Sequence, residues 1–255
     1  MKKIRLTPWI DQLGDALWWG LRAKMAPDSA LAERVAGKTI LITGASTGIG
    51  AALARALANT SAQLLLVARN TERLQQLVNE LTAQGANVKF FSADLSQADD
   101  CNRLCQQILA TEDGVDILIN NAGRSIRRSI KHSLLRFHDF ERTMQLNYFA
   151  PVRLSLKLLP AMRKRGQGHI INVSTLGIQT TPPRFAAYLA SKSALEWWTK
   201  VASSEVLHEG IFFSLVNFPL VRTPMIAPTR AYRKLPVMSP ETAASWICEL
   251  IITRQ

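Results

Sequence analysis

The sequence is poor in cysteine, has no long apolar run and carries few acidic residues for its length. Its three cysteines, Cys101, Cys105 and Cys248, are too few for a disulfide framework and fit a reducing compartment. Cys101 and Cys105 lie one helical turn apart without a nearby histidine, so we expect buried apolar side chains and no metal site. No apolar run reaches the roughly 20 residues of a membrane-spanning helix. The N-terminus also lacks a secretory signal, so we expect a cytoplasmic protein.

Basic residues dominate the charge. The 255 residues include 31 Lys and Arg against 19 Asp and Glu, which gives a net charge of +12. This excess fits either a solubilising surface or a polyanionic partner such as nucleic acid, an anionic membrane or a phosphorylated small molecule. The length and the 47% hydrophobic content predict one large α/β domain with a substantial core.

Residues 1–37 precede the first predicted strand and form an N-terminal extension to a domain over residues 38–255. Ile10, Leu13, Leu17 and Leu21 recur at helical spacing, with three tryptophans and several basic residues around them. Such a basic amphipathic helix either lies in a membrane interface or packs on the domain or on a partner subunit.

A glycine-rich turn follows the first strand. The apolar segment 38–43 runs into Gly44-Ala45-Ser46-Thr47-Gly48-Ile49-Gly50 and then into a helix over residues 51–58. Glycines between a strand and a helix let backbone N–H groups approach a pyrophosphate, which predicts nucleotide binding. The next strand ends at Arg69 without an adjacent acid, and Ser46 offers a second donor, so NADPH is favoured over NADH.

Strands and helices then alternate, which predicts a doubly wound parallel sheet flanked by helices. One strand ends before Asp94-Leu95, and another leads into Asn120-Asn121-Ala122-Gly123. Farther on, Tyr188 and Lys192 are four residues apart and so share one helix face. A nearby ammonium is expected to lower the pKa of the phenol and make it a proton donor or acceptor.

Together, the TGASTGIG turn, Asp94, NNAG, Asn147 and the Tyr188–Lys192 pair resemble the short-chain dehydrogenase/reductase family. The resemblance implies a Rossmann-type domain in which Tyr188 transfers the proton and Asn147 anchors a relay water. It implies that Lys192 bonds the cofactor ribose and lowers the pKa of Tyr188. It also implies a nicotinamide cofactor bound by Gly44, Ser46, Thr47, Gly48, Ile49, Gly50, Arg69, Asp94, Leu95, Asn121, Ala122, Gly123, Tyr188, Lys192, Pro219, Val221 and Thr223.

The catalytic hydroxyl has two candidates. The family's spacing places it at Thr175, whereas the glycine that often follows it by three residues matches Ser174 and Gly177. The segment from Pro219 to Thr223 also lacks the family's usual glycine, so we expect a different loop path there.

Basic residues cluster where the family's substrate enters, after NNAG and after Thr223. We expect Arg127, Arg128, Arg230 and Arg233 to bind the phosphates of a substrate, unless these side chains only form a solvated rim. Nucleic acid is not expected, because no aromatic stacking platform accompanies them.

Residues 120–245 further resemble bacterial fatty acyl-CoA reductases of this family, which implies reduction of a long-chain acyl thioester to an aldehyde. The alternatives are a ketone or aldehyde reductase for a bulky apolar substrate, or a non-catalytic protein on the same scaffold. We expect a homo-oligomer, and a helix over residues 240–252. The sequence offers no candidate for the family's seventh strand.

Overall fold

The computed structural model describes residues 28–112, 114–229, 232 and 235–254, which form a six-stranded parallel sheet flanked by helices. The strands are β1 (Thr39–Thr43), β2 (Gln63–Ala68), β3 (Asn87–Ser92), β4 (Ile117–Asn120), β5 (Gly168–Thr175) and β6 (Ile211–Phe218). The α-helices are α1 (Asp28–Val35), α2 (Gly48–Leu57), α3 (Thr71–Ala83), α4 (Ala98–Thr111), α5 (His138–Met144), α6 (Ala150–Arg165), α7 (Gly177–Thr180), α8 (Ala186–Val206) and α9 (Pro240–Thr253). Two 3-10 helices lie at Ile130–His132 and Leu207–Glu209, and a π-helix lies at Gln145–Phe149.

The strand order is β3-β2-β1-β4-β5-β6. The first strand, β1, lies in the middle of the sheet. The chain then moves outward through β2 to β3, returns to the middle, and forms the other half from β4 to β6. The strand order therefore reverses between β1 and β4, and a crevice at this point is the usual ligand site of such sheets.

The central strands β1, β2 and β4 are mainly apolar and buried because helices cover both faces of the sheet. In β2, Leu64 and Leu66 face one core while Leu65 and Val67 face the other. The first core is completed by α1, α2, α3 and α9, and the second by α4, α6 and α8. The two cores hold the carboxyl ends of the strands in fixed register.

These observations confirm the predicted doubly wound parallel sheet and the predicted C-terminal helix, which is α9 with Ser239 as its N-cap. The amphipathic helix predicted near the N-terminus falls within residues 1–27, outside the described part of the chain. The adjoining α1 packs on α9, where Arg34 Nε donates a hydrogen bond to the Ile251 carbonyl at 3.2 Å. Among the described residues the sheet has six strands.

Candidate active site

A cleft of about 1200 Å³ opens along the carboxyl edge of the sheet. Segments following all six strands contribute to its walls, together with residues of α8. It brings together nearly all the residues predicted to bind a cofactor, namely Gly44, Ser46, Thr47, Gly48, Ile49, Arg69, Asp94, Leu95, Asn121, Ala122, Gly123, Tyr188, Lys192, Pro219, Val221 and Thr223. Gly50 lies behind this lining, where an added Cβ would come 2.5 Å from the Gly44 carbonyl oxygen.

The glycines of the Gly44–Gly50 turn occupy positions without room for a side chain. Gly44 and Gly48 have φ values of +67° and +58°, a region that favours glycine. A Cβ on Gly44 would come 2.9 Å from Ala122 Cα, and one on Gly48 would come 2.9 Å from Thr223 Cγ2. The turn therefore packs against the segments after β4 and β6, and it directs the N-terminus of α2 towards the cleft.

Two arginines line the cleft beyond β2. Arg69 lies 3.8 Å from an Asp94 carboxyl oxygen, and both side chains are partly exposed. Burial would raise the pKa of Asp94, but hydrogen bonds from Ser96 and the charges of Arg69 and Arg124 outweigh it, so this pKa is lowered. The second arginine is Arg73, which sequence analysis missed. Its position four residues after Arg69, at the start of a helix, is the signal that could have identified it.

The NNAG segment is fixed by Thr43, another residue that sequence analysis missed. The Thr43 hydroxyl accepts hydrogen bonds from the backbone N–H groups of Asn121 and Ala122, both at 3.0 Å. The Asn121 side chain donates in turn to the Thr43 carbonyl at 2.9 Å. These bonds join the ends of β1 and β4 at the point where the strand order reverses.

Tyr188 and Lys192 lie one turn apart on α8 and both line the cleft. Lys192 is buried, and its Nζ donates a hydrogen bond to the Val173 carbonyl at 2.7 Å. Burial lowers the pKa of Lys192 to about 8. Burial also raises the pKa of Tyr188 to about 12, against the opposing effect of a hydrogen bond with Thr175. The lowered tyrosine pKa expected from the sequence is therefore wrong for this structure, because loss of solvent outweighs the hydrogen bond with Thr175.

Asn147 is fully buried in the π-helix Gln145–Phe149, a rare geometry that is frequent at functional sites. Its Oδ1 accepts a hydrogen bond from the Arg124 backbone N–H at 2.8 Å. Its Nδ2 donates to the Arg124 carbonyl and to the Ser191 hydroxyl, both at 2.9 Å. Since Ser191 also donates to the Tyr188 carbonyl at 2.7 Å, Asn147 connects the segment after NNAG to the start of α8.

The two candidate hydroxyls at the end of β5 differ in their surroundings. The Thr175 side chain forms a hydrogen bond with the Tyr188 side chain. The Thr175 hydroxyl also accepts a hydrogen bond from the Gly177 backbone N–H at 3.1 Å. Ser174 also lines the cleft, but its hydroxyl is buried and has no hydrogen-bond partner among the described residues. Of the two, Thr175 is the hydroxyl paired with the tyrosine.

Two of the four arginines expected to bind substrate, Arg127 and Arg128, lie within the described residues, and they differ in location. Arg127 lines the cleft. Arg128 is outside the cleft lining, because its Nε donates a hydrogen bond to the buried Asp139 carboxylate at 2.7 Å, and a buried charge of this kind requires a partner. The expectation that Arg128 faces the substrate is therefore not met. Arg230 and Arg233 lie outside the described residues.

Aromatic and apolar side chains line the remainder of the cleft mouth. The rings of Phe185 and Tyr232 stack at 6.5 Å, and Phe185 lies edge-on to Tyr188 at 6.4 Å. Met225 and Ile226, in the segment after Thr223, line the cleft as well.

The loop after β6 is closed at its base. Val221 forms a parallel bridge with Met238. The Arg222 N–H donates to the Met238 carbonyl at 2.9 Å, and the Met238 N–H donates to the Leu220 carbonyl at 2.8 Å. Despite the missing glycine, Pro219, Val221 and Thr223 all reach the cleft.

No helix within the described ranges has the length and apolar character needed to cross a membrane.

Comparison with known proteins identifies the family. Residues 38–234 match the family model described as short chain dehydrogenase.

A fatty acyl-CoA reductase of Acinetobacter baylyi is 51% identical over 222 residues, which cover 87% of this chain and 75% of that protein. A fatty acyl-CoA reductase of Mycobacterium tuberculosis is 44% identical over 219 residues, covering 86% of this chain and 74% of that protein. A metagenomic short-chain oxidoreductase solved in complex with NADP superposes with a TM-score of 0.75 at 29% identity, covering 86% of this chain and 92% of that chain. These findings confirm the family resemblance, and the chain is an oxidoreductase that belongs to the short-chain dehydrogenase family.

Proposed function

We propose that the protein is an NADPH-dependent reductase that converts long-chain fatty acyl-CoA thioesters to aldehydes. The observation that carries the proposal is the 51% identity to a fatty acyl-CoA reductase, which extends over 87% of the chain. The match covers 222 residues, far more than the cofactor-binding half of the chain contains, so it extends into the substrate side.

The residues of the cleft fit a phosphorylated dinucleotide. The glycines of the turn have no side chains and no space for them, so backbone N–H groups and the α2 N-terminus can approach a pyrophosphate. Arg69 and Arg73 supply two guanidinium groups beyond β2, where the ribose 2′-phosphate of NADPH is accommodated in such folds. The NADP bound in a similar solved structure supports the same choice.

Bound NADPH supplies the hydride that reduces the thioester carbonyl carbon. Tyr188 and Thr175 donate hydrogen bonds to the carbonyl oxygen and stabilise the negative charge that develops there. With a pKa of about 12, Tyr188 keeps its proton near neutral pH and can give it to the oxyanion. Lys192, held through the Val173 carbonyl, places a positive charge near the phenolate that forms.

The resulting hemithioacetal then collapses. Its hydroxyl proton returns to Tyr188, the carbonyl re-forms, and the C–S bond breaks with its electron pair going to sulfur. Coenzyme A leaves as a thiolate, and its proton comes from solvent through Lys192 and a water held at Asn147, the roles that the family resemblance implies. One NADPH and one proton are consumed for each aldehyde released.

A ketone or aldehyde reductase for a bulky apolar substrate is the second candidate. The observation that favours it is the orientation of Arg128, which pairs with Asp139 outside the cleft lining. Among the described residues, Arg127 is the one of the four expected arginines that lines the cleft, as do the apolar residues Met225 and Ile226. An uncharged carbonyl compound would suit such a lining.

The test combines purified protein, NADPH and palmitoyl-CoA, with NADPH consumption and free thiol measured in parallel. We expect equal amounts of NADPH consumed and thiol released. Tyr188→Phe should abolish both signals, whereas the matched variant Tyr148→Phe, which alters a tyrosine outside the cleft lining, should retain them. Consumption of NADPH with a bulky ketone but none with palmitoyl-CoA would refute the thioester proposal and support the second candidate.

A further inference from the structure

An apolar surface lies between the NNAG segment and α5. Its members are four large side chains with relative exposures of 61% to 96%, and we name them the 130–137 ridge: Ile130, Leu134, Leu135 and Phe137. Single exposed apolar residues are ordinary on protein surfaces, but a contiguous group marks an interaction site. Four exposed apolar side chains within eight residues therefore indicate a surface that binds a partner.

Local backbone geometry presents these side chains to solvent. The 3-10 helix Ile130–His132 is followed by tight turns in which the Ser133 N–H donates to the Ile130 carbonyl and the Arg136 N–H to the Ser133 carbonyl, both at 2.9 Å. Such short turns leave the segment no long helical or strand face to bury against the core. The ridge consequently projects from the domain.

The ridge is held in place by one buried carboxylate. Asp139 accepts hydrogen bonds from Arg128 at 2.7 Å and from Arg136 at 3.3 Å. These arginines lie on either side of most of the ridge, so the two ion pairs fasten both ends of the segment to the same point. The ridge therefore has a defined conformation, because leaving the buried Asp139 carboxylate without its cationic partners would be costly.

Basic residues surround the ridge. Residues 127–142 contain five Lys or Arg side chains and two carboxylates, and one of those carboxylates is the buried and paired Asp139. Arg127, Lys131 and Arg142 are exposed within the same stretch of chain, and Arg142 also lies 4.0 Å from the Asp139 carboxylate. An apolar centre with a cationic rim is complementary to an anionic lipid surface, where apolar side chains enter the acyl boundary and cations meet phosphates.

The ridge adjoins the cleft. Arg127 lines the cleft wall, and the Arg128 backbone N–H donates to the Arg184 carbonyl at 2.7 Å, next to the cleft residue Phe185. We propose that the 130–137 ridge docks the protein on an anionic lipid bilayer, with the mouth of the cleft beside the membrane surface. The proposal does not depend on the acyl-CoA substrate, because a lipid-soluble ketone would reach the cleft by the same route.

Co-sedimentation of the full chain with vesicles tests the proposal. Vesicles of phosphatidylcholine alone are compared with vesicles that also contain phosphatidylglycerol. Removing two exposed leucines in L134S/L135S should lower the partition coefficient by about tenfold or more, since each buried apolar side chain adds to interfacial binding. The control L207S changes an exposed leucine just before the amino end of β6, whereas the ridge follows the carboxyl end of β4, and it should bind as the unaltered protein does. Residues 1–27 are present in every variant and contribute equally.

The rim is tested separately. Lys131→Gln should weaken binding to the anionic vesicles by about fivefold, the effect of one basic residue near a charged surface, while leaving binding to neutral vesicles unchanged. Equal sedimentation of L134S/L135S and the unaltered protein would overturn the proposal.

Hydrogen exchange identifies other occupants of the ridge. The amides of Leu134, Leu135 and Phe137, which are not the donors of the turn hydrogen bonds, should exchange freely in lipid-free protein and become protected on anionic vesicles. Protection without lipid would mean that another segment of the chain covers the ridge. Protection that increases with protein concentration would mean that a second copy covers it. Either result would contradict membrane docking.

Discussion

The pairing of Thr175 with Tyr188 leads to a sharp prediction for two adjacent hydroxyls. Thr175→Ala removes a donor to the substrate oxygen, and loss of one such donor lowers kcat by about 100- to 1000-fold. It also removes the hydrogen bond that opposes the rise of the Tyr188 pKa to about 12, so Tyr188 becomes a still weaker acid. Both effects lower kcat, and we expect KM to change little.

Ser174→Ala provides the matched control. The Ser174 hydroxyl is buried without a hydrogen-bond partner among the described residues, and a buried unsatisfied group costs about 1–3 kcal/mol. Removing it should leave kcat within about twofold and leave the free energy of unfolding equal or higher by about 1 kcal/mol. Thr175→Ser keeps a hydroxyl and should restore most of the activity.

Steady-state kinetics of the three variants, together with urea unfolding, measure both quantities. The combination that refutes the reasoning is a large loss of kcat in Ser174→Ala with near-normal activity in Thr175→Ala. That pattern would assign the catalytic hydroxyl to Ser174.

Two further predictions concern stability and cofactor choice. Burial, together with the charges of Arg254 and Arg34, lowers the pKa of His169 from 6.5 to about 3, so the unfolded chain binds a proton between these values while the folded protein does not. The free energy of unfolding should therefore fall with decreasing pH below 6.5, by about 1.4 kcal/mol per pH unit. His169→Gln should flatten the dependence of the urea midpoint on pH between neutral pH and about pH 5. A parallel decline in both proteins would mean that His169 is not the cause. The double variant R69A/R73A should raise KM for NADPH by about 10- to 100-fold with little effect on KM for NADH, because the lost contacts are charge-assisted bonds to phosphate. Arg103→Ala, outside the cleft, is the control, and equal changes for both cofactors would count against a 2′-phosphate site.

The fold and the centre of the site were predictable because their signals are local. A buried strand such as residues 64–67 is a continuous apolar run, and the turn from Gly44 to Gly50 requires glycine for reasons of space within a few residues. The Tyr188–Lys192 spacing likewise follows from a single helix. These features depend on residues close in the sequence and not on distant contacts, so the sequence alone predicts them.

The misplaced features depend on distant residues. Arg127 and Arg128 are indistinguishable in the sequence, and only the burial of Asp139 decides that Arg128 turns away from the cleft. The direction of the Tyr188 pKa shift depends on burial by several segments, which no spacing records. The membrane-associated N-terminal helix and the homo-oligomer stay predictions.

The two backbone hydrogen bonds that join Leu220 and Arg222 to Met238 have an evolutionary consequence. They make the segment between Arg222 and Met238 a closed loop whose ends are fixed independently of what lies between them. The entropy of closing a flexible loop grows only with the logarithm of its length, at about 0.6 kcal/mol for each doubling. Insertions, deletions and substitutions inside this loop can therefore accumulate at little cost to folding and without moving Thr175 or Tyr188. The same hydride-transfer machinery can in this way acquire new substrates by exchanging one peripheral segment.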